Sequence, residues 1–249
     1  MNKSEIAYGF AWYFIFIISV TLHEAAHAWT AYKGGDPTAY EGGQVSLNPW
    51  PHIKRSPIGM VVIPIISIIV IHWPIGWANT PYDAFWAHKN PRKAAWMSAA
   101  GPAANLLLLI IAVIVLETGL LTGFFTGPKS VNFYTIVTPV SGGVMNGLGT
   151  FFSMLFTENL ILFIFNIIPI PPLDGSGIIS LFLTENAARK YGAVISSSAF
   201  SFIGFVFLFF AWRYFGPVFE TVFLKAVNLI YWHEPYYYST LISRFLFLC

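Results

Sequence analysis

From Ile6 to Leu22 no charged residue interrupts the apolar pattern. Helical periodicity then continues through His23, Glu24 and His27 to about Tyr32, where Gly34-Gly35 ends it. A bilayer core takes roughly 20 apolar residues per helical crossing, so this first helix is long enough to span. His23 falls roughly 25 Å along the axis from Glu5, which places its polar cluster toward one membrane face. From Asp36 to Pro57 the helical period stops, and Gly42 to Pro49 alternates polar and apolar residues as a short strand does. Ile58 to Ile71 is apolar but short, and Pro64 interrupts it. Further apolar runs cover Ala94 to about Leu116, Leu148 to Ile168 and Ala193 to Trp212. A last one, Val218 to Trp232, contains Glu220 and Lys225 and leaves open whether it spans or lies in the interface.

Charge arranges these runs across the membrane. Lys54 and Arg55 precede the 58–71 segment, and Lys89, Arg92 and Lys93 follow it, so the positive-inside rule puts both its ends on the cytoplasmic side. A short re-entrant hairpin satisfies this and one full crossing does not. The stretch from Glu117 to Gly147 carries only Lys129 as a base and reads as an external loop, whereas Arg189 and Lys190 return the chain to the inside. The first run lacks a basic leader beyond Lys3 and is read as retained rather than cleaved.

Composition agrees. Of 249 residues 56% are hydrophobic and only 10% charged, against about 25% charged in soluble domains. The expected architecture is an all-α polytopic membrane protein with about five to six hydrophobic helices. It includes the re-entrant segment and a small β-hairpin or strand after the first helix. One membrane-embedded domain is expected over 1–249, with a core at 6–183 and accessory helices at 184–249. A net charge of +2 gives no reason to expect nucleic acid. The single cysteine, Cys249, excludes an intrachain disulfide and a thiolate metal cluster.

The strongest chemical signal is His23-Glu24-Ala25-Ala26-His27. Residues at i and i+4 share a helix face, so two imidazoles can converge on one zinc while the adjacent carboxylate takes a proton from water. Ionisable groups inside an apolar helix are costly and usually functional. A catalytic zinc commonly has three protein ligands. Asp174 stands out as the third, because it lies at the expected depth of the histidines, after prolines that stiffen the chain and beside Gly175 and Gly177. Taken alone, Asp174 reads as the cap of a helix from about Gly175 to Leu183; taken with the histidines, it reads as a ligand. His52, His72, His88 and His233 lie in loops or interfaces and are assigned no metal.

These residues resemble the site-2 proteases, intramembrane zinc metalloproteases. The likeness rests on the His23 to His27 pattern, on Asn166-Ile167-Ile168-Pro169-Ile170-Pro171-Pro172-Leu173-Asp174-Gly175, and on Ala100-Gly101-Pro102-Ala103-Ala104-Asn105. It covers roughly Ile6 to Leu183, and Gly43 to Pro51 is similar to the compact bacterial and archaeal members without a regulatory domain. The resemblance implies one Zn2+ on His23, His27 and Asp174, Glu24 as general base and Asn166 near the scissile carbonyl. It also implies a multi-pass protein of a prokaryotic cell membrane, its site toward the cytoplasm, acting on transmembrane protein substrates. Asn105 reads as mainly structural, and Gly101-Pro102 as a kink with close helix packing. A strand at Gly43 to Asn48 would offer a free edge to an unwound substrate segment.

Three other readings compete. A metal transporter or chaperone would use the same ligands but would have no need of Glu24. An aspartyl mechanism pairing Asp83 with Asp174 needs both carboxylates together, and Asp83 falls in a polar, Pro-flanked loop. A serine mechanism at Ser176 lacks a histidine of its own.

Overall fold

In the computed structural model, residues 3–232 are described; His233 and Cys249 fall outside that range, as does the end of the accessory region. Helix α1 spans Lys3–Gly34, carrying the first apolar run and the His-Glu cluster in one piece. A helical turn, α2 (Thr38–Glu41), and α3 (Pro49–Arg55) follow. A wider π-type turn at Ile58–Val62 then leads into α4 (Ile63–Ile71), and α5 covers Ala84–Lys89. Helix α6, Pro91–Leu121, starts on a proline, which lacks only an N–H that the first turn would leave unbonded anyway. Helix α7 is Val144–Asn166, and the prolines from Pro169 prevent its continuation. Helices α8 (Asp174–Ile178), α9 (Glu185–Ile195) and α10 (Ser198–Ile230) complete the described chain.

Three of these helices, within α1, α6 and α7, are long and apolar enough to cross a membrane, or up to five if each bent pair is one span. The chain is a helical membrane protein. Most of the two segments expected at 193–212 and 218–232 is joined in the single helix α10, with Pro217 inside it, while Ala193 to Ile195 belong to α9.

The expected strand at Gly42 to Pro49 is not formed. Gly43 takes a φ of 73°, the Ser46 side chain accepts from the Asn48 N–H, and the Asn48 side chain accepts from the Trp50 N–H to cap α3. Such side-chain bonds to the nearby backbone compete with a ladder, and among the described residues no neighbouring strand rewards one. The two-stranded antiparallel sheet lies elsewhere, in the loop between α6 and α7: β1 (Phe125–Thr126) pairs with β2 (Thr138–Pro139).

The chain turns back after the short 58–71 segment rather than within it. The segment meets α3 at 113°, and at its far end His72 takes a left-handed φ of 61°. From Trp73 the chain returns extended along the segment it has just left. The Ile75 N–H bonds Ser67 Oγ at 2.8 Å and the Trp77 N–H bonds Gly59 O at 3.0 Å. Gly76 is wedged so close to Gly59, Phe16 and Pro64 that a Cβ would overlap them. The chain therefore re-emerges at the end of the bundle from which it entered.

The largest core joins Trp12 and Ile15 of α1, Leu116 of α6, Met154 and Phe156 of α7, the loop residues Val131 and Ile136, and Phe219 and Phe223 of α10. It fills the bundle at the end carrying β1 and β2. The His-Glu cluster occupies the other end.

Candidate metal centre

Helices α1 and α6 pack closely, and one stripe of α6 meets the histidines. Met97, Gly101 and Asn105 are four residues apart and so share a face. His23 Nδ1 lies 2.6 Å from Asn105 Oδ1, and His27 Nδ1 lies 2.6 Å from the Met97 carbonyl. Gly101 sits between them, and a Cβ there would overlap Nε2 of both rings. The Asn105 amide in turn donates to Asn159 Oδ1 at 2.9 Å, and Asn159 Nδ2 donates to Ser19 Oγ at 3.0 Å. This buried chain of side chains ties α6, α7 and α1 together behind His23.

Asp174 reaches the same point from the opposite side. The α7 helix ends at Asn166, and the chain turns through Ile167 to Leu173. Gly175 is pressed against the carbonyls of Ile167 and Ile168, where a Cβ would overlap them. That close approach swings Asp174 back under α1. Its Oδ2 lies 3.0 Å from His23 Nε2 and 3.3 Å from His27 Nε2, and the two Nε2 atoms are 2.9 Å apart.

The chemistry of this donor set fits a cation. Both Nδ1 atoms face carbonyl oxygens, which only accept, so each ring carries its proton on Nδ1 and presents an Nε2 lone pair. Two lone pairs and a carboxylate oxygen thus point at one another in a buried space and repel unless something positive lies between them. A tetrahedral zinc with bonds of about 2.0–2.1 Å separates its donors by roughly 3.3 Å, close to the separations found. Among the described residues, His23, His27 and Asp174 form the one group of three or more such side chains whose donor atoms could share a metal.

Glu24, 5% exposed, is held from a third direction. Thr80 Oγ1 lies 2.7 Å from Glu24 Oε2, and Thr80 belongs to the extended return segment. Asn166, half-buried at the end of α7, donates to the Leu162 carbonyl at 3.0 Å, and among the described residues its second amide hydrogen meets no acceptor. Asp83 is spent elsewhere: its carboxylate caps α5 by accepting from the Phe85 N–H, and it takes no part in the Asp174 group. Ser176 Oγ donates to the Leu173 carbonyl within its own turn.

Several contributors were not legible as such. Asn105, read as structural, bonds a candidate ligand directly, and Gly101 provides the space for both rings. The spacing of Met97, Gly101 and Asn105 is the signal that carried this. Thr80 and the Met97 carbonyl left no mark in the sequence. Glu158 of α7 is also buried, with Oε2 lacking a hydrogen-bond partner among the described residues.

Comparison with known proteins agrees with this geometry. Residues 11–211 match the profile described as Peptidase family M50. A Bacillus subtilis protein, "Putative zinc metalloprotease YwhC", is 34% identical over 78% of this chain and 77% of its own length. "Putative zinc metalloprotease Rip2" of Mycolicibacterium smegmatis is 32% identical over 70% of this chain and 57% of its own length. No solved structure matches the chain.

Proposed function

The chain belongs to peptidase family M50, the site-2 protease family, and is a zinc metalloprotease; from that premise we propose that it hydrolyses peptide bonds in or near transmembrane segments of other membrane proteins. Membership of a peptidase family displaces the reading as a metal transporter or chaperone. The observation that carries the proposal is the convergence of His23 Nε2, His27 Nε2 and Asp174 Oδ2 within 3.3 Å between helices apolar enough to lie in lipid.

In this reading His23, His27 and Asp174 would hold one Zn2+ per chain, which would supply Lewis acidity at the scissile bond. Glu24 takes a proton from the attacking water and returns it to the leaving amine. Asn166 donates its free amide hydrogen to the oxygen that gains charge as the carbonyl is attacked. Asn105 and the Met97 carbonyl keep both imidazoles in the tautomer that points Nε2 inward. The bases Lys33, Lys54, Arg55, Lys89, Arg92 and Lys93 surround this end of the bundle, which supports a site near the cytoplasmic face of a cell membrane.

The test is reconstitution in proteoliposomes with a panel of transmembrane peptides, alongside soluble peptides of the same cleavage sequence. Wild type should cut the membrane-embedded set. Glu24→Gln should lose about 10³-fold in rate while keeping its zinc. Cleavage confined to soluble peptides, or an active Glu24→Gln, would contradict the proposal.

A further inference from the structure

His23 and His27 are clamped from α6, but Glu24 is clamped by a segment that belongs to no helix. Thr80 Oγ1 lies 2.7 Å from Glu24 Oε2 and 3.0 Å from the Glu24 carbonyl. A hydroxyl has one proton to give. The carboxylate oxygen is nearer, and a hydrogen bond to an ionised acceptor is the stronger one. Among the described residues no other hydrogen bond reaches the Glu24 carboxylate.

The segment around Thr80 does not depend on that bond for its place. The Ile75 N–H bonds Ser67 Oγ and the Trp77 N–H bonds Gly59 O. Asn79 is gripped twice, its carbonyl by Gln44 Nε2 at 3.2 Å and its side chain by Arg55 Nε at 2.9 Å. Beyond it, the Asp83 N–H bonds Asp36 Oδ2 at 2.8 Å. With anchors on both sides, the backbone at residue 80 stays put whether or not the hydroxyl is present. The hydroxyl therefore acts on Glu24 and not on the fold.

We propose that Thr80 is a positioning residue: its hydroxyl fixes Glu24 Oε2, so that Oε1 is left as the acceptor for the attacking water. The inference rests on Glu24 as general base. Free rotation of a glutamate side chain about its three χ angles would spread the carboxylate over positions from which it cannot reach a water in line with a carbonyl. Holding one oxygen confines that spread before substrate arrives, and the advantage appears in the chemical step rather than in substrate binding.

The experiment uses the full chain in proteoliposomes with a transmembrane peptide that wild type cleaves. Thr80→Val should lower kcat about 10- to 100-fold with KM within about twofold and with bound zinc unchanged. Thr80→Ser, which restores the hydroxyl, should return kcat to within about threefold of wild type. A second reading needs no metal. In the zinc-free chain, the carboxylate infrared band identified by its loss in Glu24→Gln should shift in Thr80→Val and return in Thr80→Ser. Wild-type kcat in Thr80→Val, a loss that Thr80→Ser does not recover, or an unmoved carboxylate band would each overturn the proposal. An active Glu24→Gln would instead overturn the general-base reading beneath it.

Discussion

The two ends of this helical bundle are held by different kinds of force. At the end carrying β1 and β2, Trp12, Ile15, Leu116, Met154, Phe156, Phe219 and Phe223 pack by shape alone. Phe223 takes an edge-on contact from Phe156 at 6.0 Å between ring centroids. At the other end, His23, Glu24 and His27 are each fixed by a directional bond from a different partner: Asn105, Thr80 and the Met97 carbonyl. Packing tolerates exchange of one apolar side chain for another of similar volume. A set of lone pairs aimed at one point tolerates almost none. The same apolar helices thus provide stability at one end and chemistry at the other.

If the division is real, substitutions at the two ends should fail in different ways. The largest effect on folding belongs to the packed end: Phe156→Ala, a side chain only 1% exposed, should cost about 3–5 kcal/mol, read by denaturation in detergent. Zinc content and kcat per folded molecule should stay near wild type. A specific loss of zinc from Phe156→Ala would break the comparison.

Asn105→Ala should do the reverse. Removing the partner of a ligating imidazole typically weakens metal binding about 10- to 100-fold, which competition with a chelator would measure. Unfolding should be little altered beyond the metal's own contribution. Unchanged zinc affinity would return Asn105 to a structural role.

The smallest effect concerns Asp36, just past the end of α1. Burial raises its carboxyl, but bonds from the Thr38 hydroxyl and N–H and from the Asp83 N–H outweigh that and lower it. A carboxyl lowered on folding contributes stability above its unfolded pKa of about 3.9 and loses it as pH falls through the folded value. Wild type should therefore lose stability below about pH 4 more steeply than Asp36→Asn. Parallel pH profiles would show that these bonds contribute nothing.

Sequence periodicity and the His-Glu pattern were enough to place α1, α6, α7, His23 and His27, because long apolar runs and i, i+4 spacing are local properties; Asp174 was read from its expected depth and the prolines before it. The strand expected near Val45 failed for a local reason as well. Ser46 and Asn48 turn the backbone through their own side chains, and alternation alone cannot register that competition. Thr80 was illegible for a different reason. Its role depends on the extended return from Trp73 crossing α1, and a tertiary meeting of that kind leaves no spacing to read. Gly101 lay between: its motif was visible, but its purpose, room for two imidazoles, required the packed helices.

The most direct measurement of the central claim is X-ray absorption at the zinc edge of the purified protein, compared with Asp174→Ala. Wild type should hold about one zinc per chain with two imidazole nitrogens and oxygen donors at about 2.0–2.2 Å, and Asp174→Ala should lose most of its metal. Full zinc occupancy with the same coordination in Asp174→Ala would contradict the account.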